Sequence, residues 1–281
     1  MKYKEELKLA TEKLKSANVP DHELDAKLLM EFVTGMSRND LFLHGEDEMP
    51  EAEHLRYTEV IDTRAKRIPL QHITGEQEFY GLSFKVNEHV LVPRQDTEIL
   101  VEHVLSLLTP GDSVLDLCTG SGCIIITLLH ENSLCTGIGS DISEDALSVA
   151  KDNANNNDVS GRVNFIHSDL YKNIDKKFDH IVSNPPYIKT GIIETLMPEV
   201  KDHDPYSALD GGEDGLYFYR IITGDAKDHL FKNRTLSFEV GVDEADDVKR
   251  IMEENGFTDI KIIKDYSGND RVVSGRADYD Y

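Results

Sequence analysis

The residues best equipped for chemistry stand in a row, Asn184-Pro185-Pro186-Tyr187, at the end of the apolar run "IVSNPPY". Proline cannot donate to a β-ladder, so a strand must stop there. The Asn184 side-chain oxygen and the Pro185 carbonyl are then two hydrogen-bond acceptors on a turn stiffened by two rings. Two fixed acceptors match a planar NH2 group, which has two hydrogens to donate. Such a nitrogen has its lone pair delocalised and is a poor nucleophile. Holding both N–H bonds stabilises the positive charge that grows on it as it attacks an electrophile, and only in the transition state. Tyr187 offers an aromatic face to the planar group. Taken alone, the four residues also fit a loop with a chance Pro-Pro.

A second constellation lies upstream. The run "VLDLCTGSGCIIITLL" reads as a buried strand, a glycine-rich turn and a helix. Gly120 and Gly122 let the backbone turn tightly and approach a ligand, and the helix start offers unpaired N–H groups. Asp116, just before the turn, is placed to reach the ligand side of the sheet edge. Asp141 ends the next strand, about 20 residues on, the spacing at which an acid accepts from ribose hydroxyls. Asp169, in "HSDL", would lie near an adenine, with Leu170 packing on its face. One strand-end carboxylate is most often a helix cap. Three on successive strands mark the edge where open α/β sheets bind ligands. The dinucleotide fingerprint GxGxxG is not met, because position 118 is Cys and position 125 is Ile. The D-x-x-T-G-S-G spacing is closer to S-adenosylmethionine sites, which cradle no pyrophosphate. The electrophile is then a sulfonium methyl group.

These residues need elements to position them. Residues 1–75 read as a small helical bundle, with "YKEELKLATEKLKSA", "PDHELDAKLLMEFVTG", "SRNDLFLHG" and "PEAEHLRYTEVIDTRAKR" as four helices. Residues 76–94 read as a β-hairpin connector, with Phe84, Val86, Val90 and Val92 in its strands and Asn87-Glu88 at its turn. From 95 to 281, strand-like runs at 113–118, 135–141, 162–169 and 178–184 alternate with helical ones, as in a mainly parallel sheet covered on both faces. "RTLSFEVG", "IKIIKDY" and "RVVSGR" add an antiparallel edge. The fold class is α/β, a Rossmann-like methyltransferase domain behind a helical bundle. "VDEADD" (Val242 to Asp247) reads as the solvated start of a helix, His203 as a surface residue, and "IIITLL" as core.

Composition narrows the partners. The net charge of −23, from 30 basic and 53 acidic residues, disfavours nucleic acid and anionic membranes. "MKYKEELKLA" carries no signal-type apolar segment, and no run approaches the ~20 residues that cross a bilayer. Three cysteines without a CxxC pair fit a reducing cytosol, so the expected location is cytoplasmic. Without HExxH or a cysteine pair, no metal is expected.

The stretches "EFYGLSFKVNEHVLVPRQDTEILVE", "DLCTGSGCI", "FDHIVSNPPYI", "ALDGGEDGLYFYR" and "YSGNDRVVSGR" together resemble the HemK-type protein-(glutamine-N5) methyltransferases, in the family's order. DNA methyltransferases share NPPY but not the PR-x-(E/D)-T-E and GG-x-DGL segments. The resemblance implies methyl transfer from S-adenosylmethionine, giving S-adenosylhomocysteine, to the glutamine of the Gly-Gly-Gln loop in class-1 peptide chain release factors. It implies cofactor contacts at Cys118, Thr119, Gly120, Ser121, Gly122, Asp141, Asp169, Leu170 and Asn184. Asn184, Pro185, Pro186 and Tyr187 would hold the substrate amide, with Asn184, Pro185 and Tyr187 catalytic. Pro93-Arg94 and Thr97-Glu98 would border the cofactor. A monomer without stable nucleic-acid binding is expected. Three departures stand out: Cys118 replaces a frequent glycine, Asp96 and Asp204 replace frequent glutamates, and Asp243-Glu244 follow "FEVG" where a glutamine is usual. Two rival readings remain at this stage. One is an N6-adenine or N4-cytosine nucleic-acid methyltransferase, whose target nitrogen has the same geometry but which must grip phosphates and flip a base. The other is a non-catalytic binding module on the same fold.

Overall fold

The computed structural model describes residues 1–278, so residues 279–281 of the expected C-terminal domain lie outside the described residues. The chain forms two compact units. One is Met1–Glu76 with Met197–His203, and the other is Gln77–Leu196 with the chain from Asp204 onward.

The first unit is helical because its apolar residues recur at three- and four-residue spacing. Helices α1 (Tyr3–Ser16), α2 (His22–Thr34), α3 (Arg38–His44), α4 (Glu51–Ala65) and α5 (Leu70–Thr74) enclose a core that includes Leu14, Leu29, Met30 and Tyr57. The fifth helix was not expected: five residues between Pro69 and Gly75 are too few to show a period. A later helix, α9 (Pro198–Lys201), also belongs here and brings Glu199. Arg64 on α4 donates from Nε to Asp25 Oδ2 at 2.7 Å and from Nη2 to Glu199 Oε1 at 3.0 Å. Arg67 donates to the same Glu199 oxygen at 2.6 Å. Burial pushes the Asp25 carboxyl up while Arg64 pulls it down. Burial also opposes ionisation of Glu199, but Arg67 and Arg64 outweigh it and hold that carboxyl below its ordinary value.

The second unit opens with the hairpin, which falls within 76–94 as expected but turns earlier than at Asn87-Glu88. Its strands are β1 (Glu76–Phe79) and β2 (Leu82–Lys85), and its turn is Tyr80-Gly81. Those two residues take φ of 53° and 76°, as a two-residue hairpin turn that follows strand twist requires. Asn87 Oδ1 instead accepts the His89 N–H at 3.0 Å and closes a local turn just after β2, with no strand formed by Val90 and Val92. The backbone of β2 is held by side-chain amides. Asn153 exchanges two bonds with Lys85, at 2.7 and 3.0 Å, and Asn157 donates to the Ser83 carbonyl at 3.1 Å.

Beyond α6 (Glu98–Leu105) the strands and helices alternate as read. The strands are β3 (Ser113–Leu117), β4 (Thr136–Asp141), β5 (Val163–His167), β6 (Phe178–Ser183), β7 (Leu230–Glu239), β8 (Phe257–Lys264) and β9 (Asp270–Ala277). They form one sheet in the order β5-β4-β3-β6-β7-β9-β8. Pairs from β5 across to β7 are parallel, and β9 runs antiparallel to both its neighbours. The reversed strand is therefore one in from the edge, because the β8–β9 hairpin inserts its second arm beside β7. On one face Val114, Val182 and Val272 pack with α6 and α7 (Cys123–Glu131), and Ala154 of α8 (Glu144–Asn156) joins that layer. On the other, Leu115, Ile181 and Phe238 pack with α10 (Tyr217–His229) and α11 (Ala245–Glu254). Burial on both faces is why Val114, Leu115 and Leu117 of β3 are all apolar, Asp116 being the one charged residue among them.

Strand order reverses between β3 and β6, which lie side by side with Leu117 opposite Ser183. A sheet of this kind opens a crevice beyond the carboxyl ends of such a pair. Removing Arg64 tests the ion cluster of the first unit. Arg64→Ala leaves the buried Asp25 carboxylate without its arginine while Glu199 keeps Arg67, and should cost about 3 kcal/mol or more, read as a lower urea midpoint.

Candidate active site

The two motifs singled out in the sequence leave the sheet from that crevice. The glycine turn follows β3, the Asn184–Tyr187 turn follows β6, and the Ser183 hydroxyl donates to the Leu117 carbonyl at 2.7 Å between them. Beyond β3 the backbone takes left-handed φ at Cys118 (59°) and Gly120 (53°). A Cβ on Gly120 would meet no atom within 4 Å, so that side of the turn faces open space. Gly122 lies against α8, where an added Cβ would stand 3.2 Å from the Ala150 methyl. The turn is tied to β4: the Gly120 and Ser143 N–H groups donate to the two Asp141 oxygens, each at 2.9 Å. Burial raises the Asp141 carboxyl, and those N–H groups counter it.

A cleft of about 350 Å³ lies over this edge. Its wall includes Cys118, Thr119, Gly120, Ser121, Asp141, Asp169, Leu170, Asn184 and Pro186. Gly122, Pro185 and Tyr187 are not in that wall. Asp141, Asp169 and Asp210 line it, with Arg94 as the sole arginine or lysine among the described lining residues. Acidic acceptors over an open glycine turn suit a ligand with hydroxyls and a positive centre. They do not suit a pyrophosphate.

Asp116 does not reach the cleft. It is fully buried beneath the turn, where its Oδ2 accepts the Thr119 hydroxyl at 2.6 Å, and burial pushes its carboxyl up to about 7. It holds the turn's shape from below.

The segment "QDTE" ties β9 and the β1–β2 hairpin to the Asn184–Tyr187 turn. Asp96 pairs with Arg271 of β9 at 3.1 Å, and Glu98 Oε1 accepts the Tyr80 N–H of the hairpin turn at 2.8 Å. Between them, Thr97 Oγ1 accepts the Asn184 side-chain NH2 at 3.4 Å, which leaves Asn184 Oδ1 free as an acceptor. Tyr187 points its hydroxyl at Glu239 Oε1, 3.4 Å away.

"LDGGEDGL" forms a backbone cradle under Tyr187. Ile188 N–H donates to the Leu209 carbonyl at 2.9 Å, and Gly211 N–H to the Ile188 carbonyl at 2.8 Å. A Cβ on Gly211 would fall 2.6 Å from Tyr187 Cα, and one on Gly215 would fall 2.5 Å from the Tyr187 carbonyl oxygen. Glu244 closes the cradle from below. Its carboxylate accepts the Gly241 N–H at 3.2 Å, and burial pushes it up to about 7. "VDEADD" is thus not uniformly solvated: the Glu244 side chain packs inward against glycines that leave room for it. The sequence reading also passed over the Arg94–Asp204 pair. Arg94 Nη2 donates to Asp204 Oδ2 at 3.1 Å, and burial brings the Asp204 carboxyl to about 6 although Arg94 opposes it. Matching such partners needs the tertiary register, since 110 residues separate them.

The fold and this site define a methyltransferase of the Rossmann-like class. The family model for the methyltransferase small domain matches residues 94–198, and the model for the PrmC N-terminal domain matches residues 5–75. A methyltransferase from Pyrococcus furiosus shares the fold at 19% identity, with a TM-score of 0.54 over 72% of this chain and 91% of that one. The chain belongs to the release factor glutamine methyltransferase family. It is 44% identical over 277 residues to the Agrobacterium fabrum member, covering 96% of each. It is 41% identical to the Clostridium acetobutylicum member, covering 97% of this chain and 98% of that one.

Two outcomes follow from this geometry. Gly215→Ala places a methyl group on the Tyr187 carbonyl at a φ of 79°, so it should destabilise the chain by more than about 2 kcal/mol and cut methyl transfer with it. Asp116 sets a pH dependence. Its carboxyl ionises near 4 when unfolded and near 7 when folded, so the folded chain holds more protons in that window. The stability contributed by its protonated form is fully present below about 4 and is lost as pH rises through about 7. Asp116→Asn, which cannot ionise, should therefore gain on the wild type between pH 5 and pH 8, by about 2–3 kcal/mol in urea unfolding.

Proposed function

We propose that this chain transfers a methyl group from S-adenosylmethionine to the side-chain amide nitrogen of the glutamine in the Gly-Gly-Gln motif of peptide chain release factors, giving N5-methylglutamine. The observation that carries the reading is Asn184, whose NH2 group is taken by Thr97 and whose oxygen is left as an acceptor at the cleft. The family membership supports it, since the curated relatives are named for release factor glutamine methylation.

When bound, S-adenosylmethionine supplies a methyl group on a positively charged sulfur. Asp141 at the end of β4 is placed to accept ribose hydroxyls, with Gly120 leaving room over the turn and Leu170 offering an apolar face. Asn184 Oδ1 and the Pro185 carbonyl accept the two N–H bonds of the glutamine amide. As the nitrogen bonds to the methyl carbon, the carbon–sulfur bond would break with its electron pair going to sulfur, leaving neutral S-adenosylhomocysteine. The positive charge passes to nitrogen, and these acceptors lower the energy of that charge. The prolines keep both acceptors still, so little reorganisation is needed. The cationic amide is strongly acidic and passes its proton to water, so no side chain has to serve as a base. The Tyr187 hydroxyl and its glycine cradle hold the turn in place.

A nucleic-acid substrate is disfavoured by the net charge of −23, and a binding-only role by the intact acceptor turn. Among the described residues no helix is long and apolar enough to cross a membrane, and no group of His, Cys, Asp and Glu is placed to hold a metal ion.

The test is methyl transfer from labelled S-adenosylmethionine to a purified class-1 release factor, with unmethylated DNA in parallel and peptide mass spectrometry to locate the label. One methyl on the Gly-Gly-Gln glutamine is expected. Label confined to DNA would replace this reading with the base methyltransferase. Asn184→Ala should lose turnover by at least about a hundredfold while cofactor affinity, by calorimetry, stays within about threefold.

A further inference from the structure

The cleft wall carries the carboxylates of Asp141, Asp169 and Asp210 and a single guanidinium, that of Arg94. S-adenosylmethionine carries the complement: a sulfonium, an ammonium, ribose hydroxyls and one carboxylate. The wall acids suit its cations and hydroxyls. Its carboxylate would be repelled by those acids and needs a cation of its own. His89, the other basic side chain on the wall, already stands 3.9 Å from Glu88.

Strand order says where that carboxylate goes. Asp169 and Leu170 follow β5, Asp141 ends β4, the glycine turn follows β3 and Asn184 follows β6, and these strands are neighbours in that order. With adenine on Leu170 and ribose at Asp141, the sulfur lies over the β3–β6 crevice, and its methyl group faces the amide held by Asn184. The remaining substituent of the sulfur is the amino-acid chain, which runs on past that crevice. Pro93, Arg94 and Thr97 form the wall there. Their place beside the acceptor turn is fixed. The Thr97 N–H donates to the Arg94 carbonyl at 3.1 Å, and Thr97 Oγ1 accepts from Asn184 at 3.4 Å.

Arg94 is anchored without being used up. Its Nη2 donates to Asp204 Oδ2 at 3.1 Å, and no other hydrogen bond engages its guanidinium among the described residues. The Asp204 side chain is 1% exposed and that of Arg94 is 47% exposed. A buried acid thus holds the guanidinium from behind, while its remaining N–H donors stay open on the cleft side. A planar fork of such donors matches a carboxylate with two parallel bonds.

We infer that Arg94 binds the α-carboxylate of the cofactor's amino-acid end, with Asp204 as the positioning residue behind it. The assignment rests on the methyl-transfer reading above, but its test needs no protein substrate.

That test is calorimetry on the full chain with two ligands. One is S-adenosylhomocysteine, and the other is its decarboxylated analogue, which keeps the ammonium and lacks only the carboxylate. The wild type should bind the carboxylated ligand about tenfold tighter or more, as a charge-assisted pair implies. Arg94→Gln should bind the two within about threefold of each other and hold the analogue as the wild type does. A merely structural role would weaken both ligands alike and leave their ratio intact. Arg94→Gln strands a buried carboxylate, so the double change Arg94→Gln with Asp204→Asn repeats the comparison without that charge. A wild type with no preference, or variants that keep the preference, would overturn the assignment and give the carboxylate to other donors, such as backbone N–H groups at the start of α7. A wild type that binds neither ligand would remove the cofactor reading and Arg94's role together. If it binds S-adenosylhomocysteine yet methylates no release factor, the substrate reading falls, and the affinity ratio still decides Arg94.

Discussion

The site depends on one pairing, that of β3 with β6. Residues 117 and 183 stand opposite each other because the chain, after building β4 and β5 on one side, returns to the other side of β3. The glycine turn and the Asn184–Tyr187 turn are thereby brought to one crevice, although more than sixty residues of chain separate them. The Ser183 hydroxyl on the Leu117 carbonyl pins the two exits together. Without that adjacency, the glycine turn and the Asn184–Tyr187 turn would be two unrelated loops.

Around the pairing the molecule accepts local cost to keep the turns still. Cys118 holds a left-handed φ, which costs a non-glycine residue roughly 1–2 kcal/mol. A glycine there would relax the strain but add about 0.4–1 kcal/mol of freedom to the unfolded chain, so the strain outweighs the entropy and Cys118 is the slightly less stable choice. Asp116, Glu239 and Glu244 are buried carboxyls, each raised to about 7. Each costs stability when ionised, and each fixes a turn: Asp116 through Thr119, Glu239 through Tyr187, Glu244 through Gly241. Rigidity at these places matters for the proposed reaction, which asks for acceptors that do not have to reorganise. The acidic cleft wall fits the same proposal, in which the cofactor and the transition state are both cationic.

Much of the sheet was legible. Strands β3 to β6 each carry a short apolar stretch followed closely by glycine, aspartate or proline, and alternation with helices implies a parallel sheet whatever the register. The hairpin was misplaced because valines on both sides of Asn87-Glu88 mimic strands, while the real turn, Tyr80-Gly81, looks unremarkable until its φ angles are known. Asp116 was misjudged because a strand-end carboxylate has the same spacing whether it faces the ligand or the core. Glu244 was hidden in an acidic run whose neighbours are solvated, and only the glycines at 215 and 241 show that it turns inward.

What the sequence determined by itself was local. It set the end of a strand at Asn184, the two acceptors of that turn, the glycine turn after β3, the helical character of residues 1–75, and the family, through motifs in a fixed order. Hydrophobic period, proline and glycine act over a few residues, so they can be read one stretch at a time. Tertiary structure alone decided which distant groups meet: Thr97 with Asn184, Tyr187 with Glu239, Arg94 with Asp204, and the Gly211–Gly215 backbone with Tyr187. Those contacts follow from strand order and register, which depend on how two faces of a sheet are buried together, and no short window of residues carries that information.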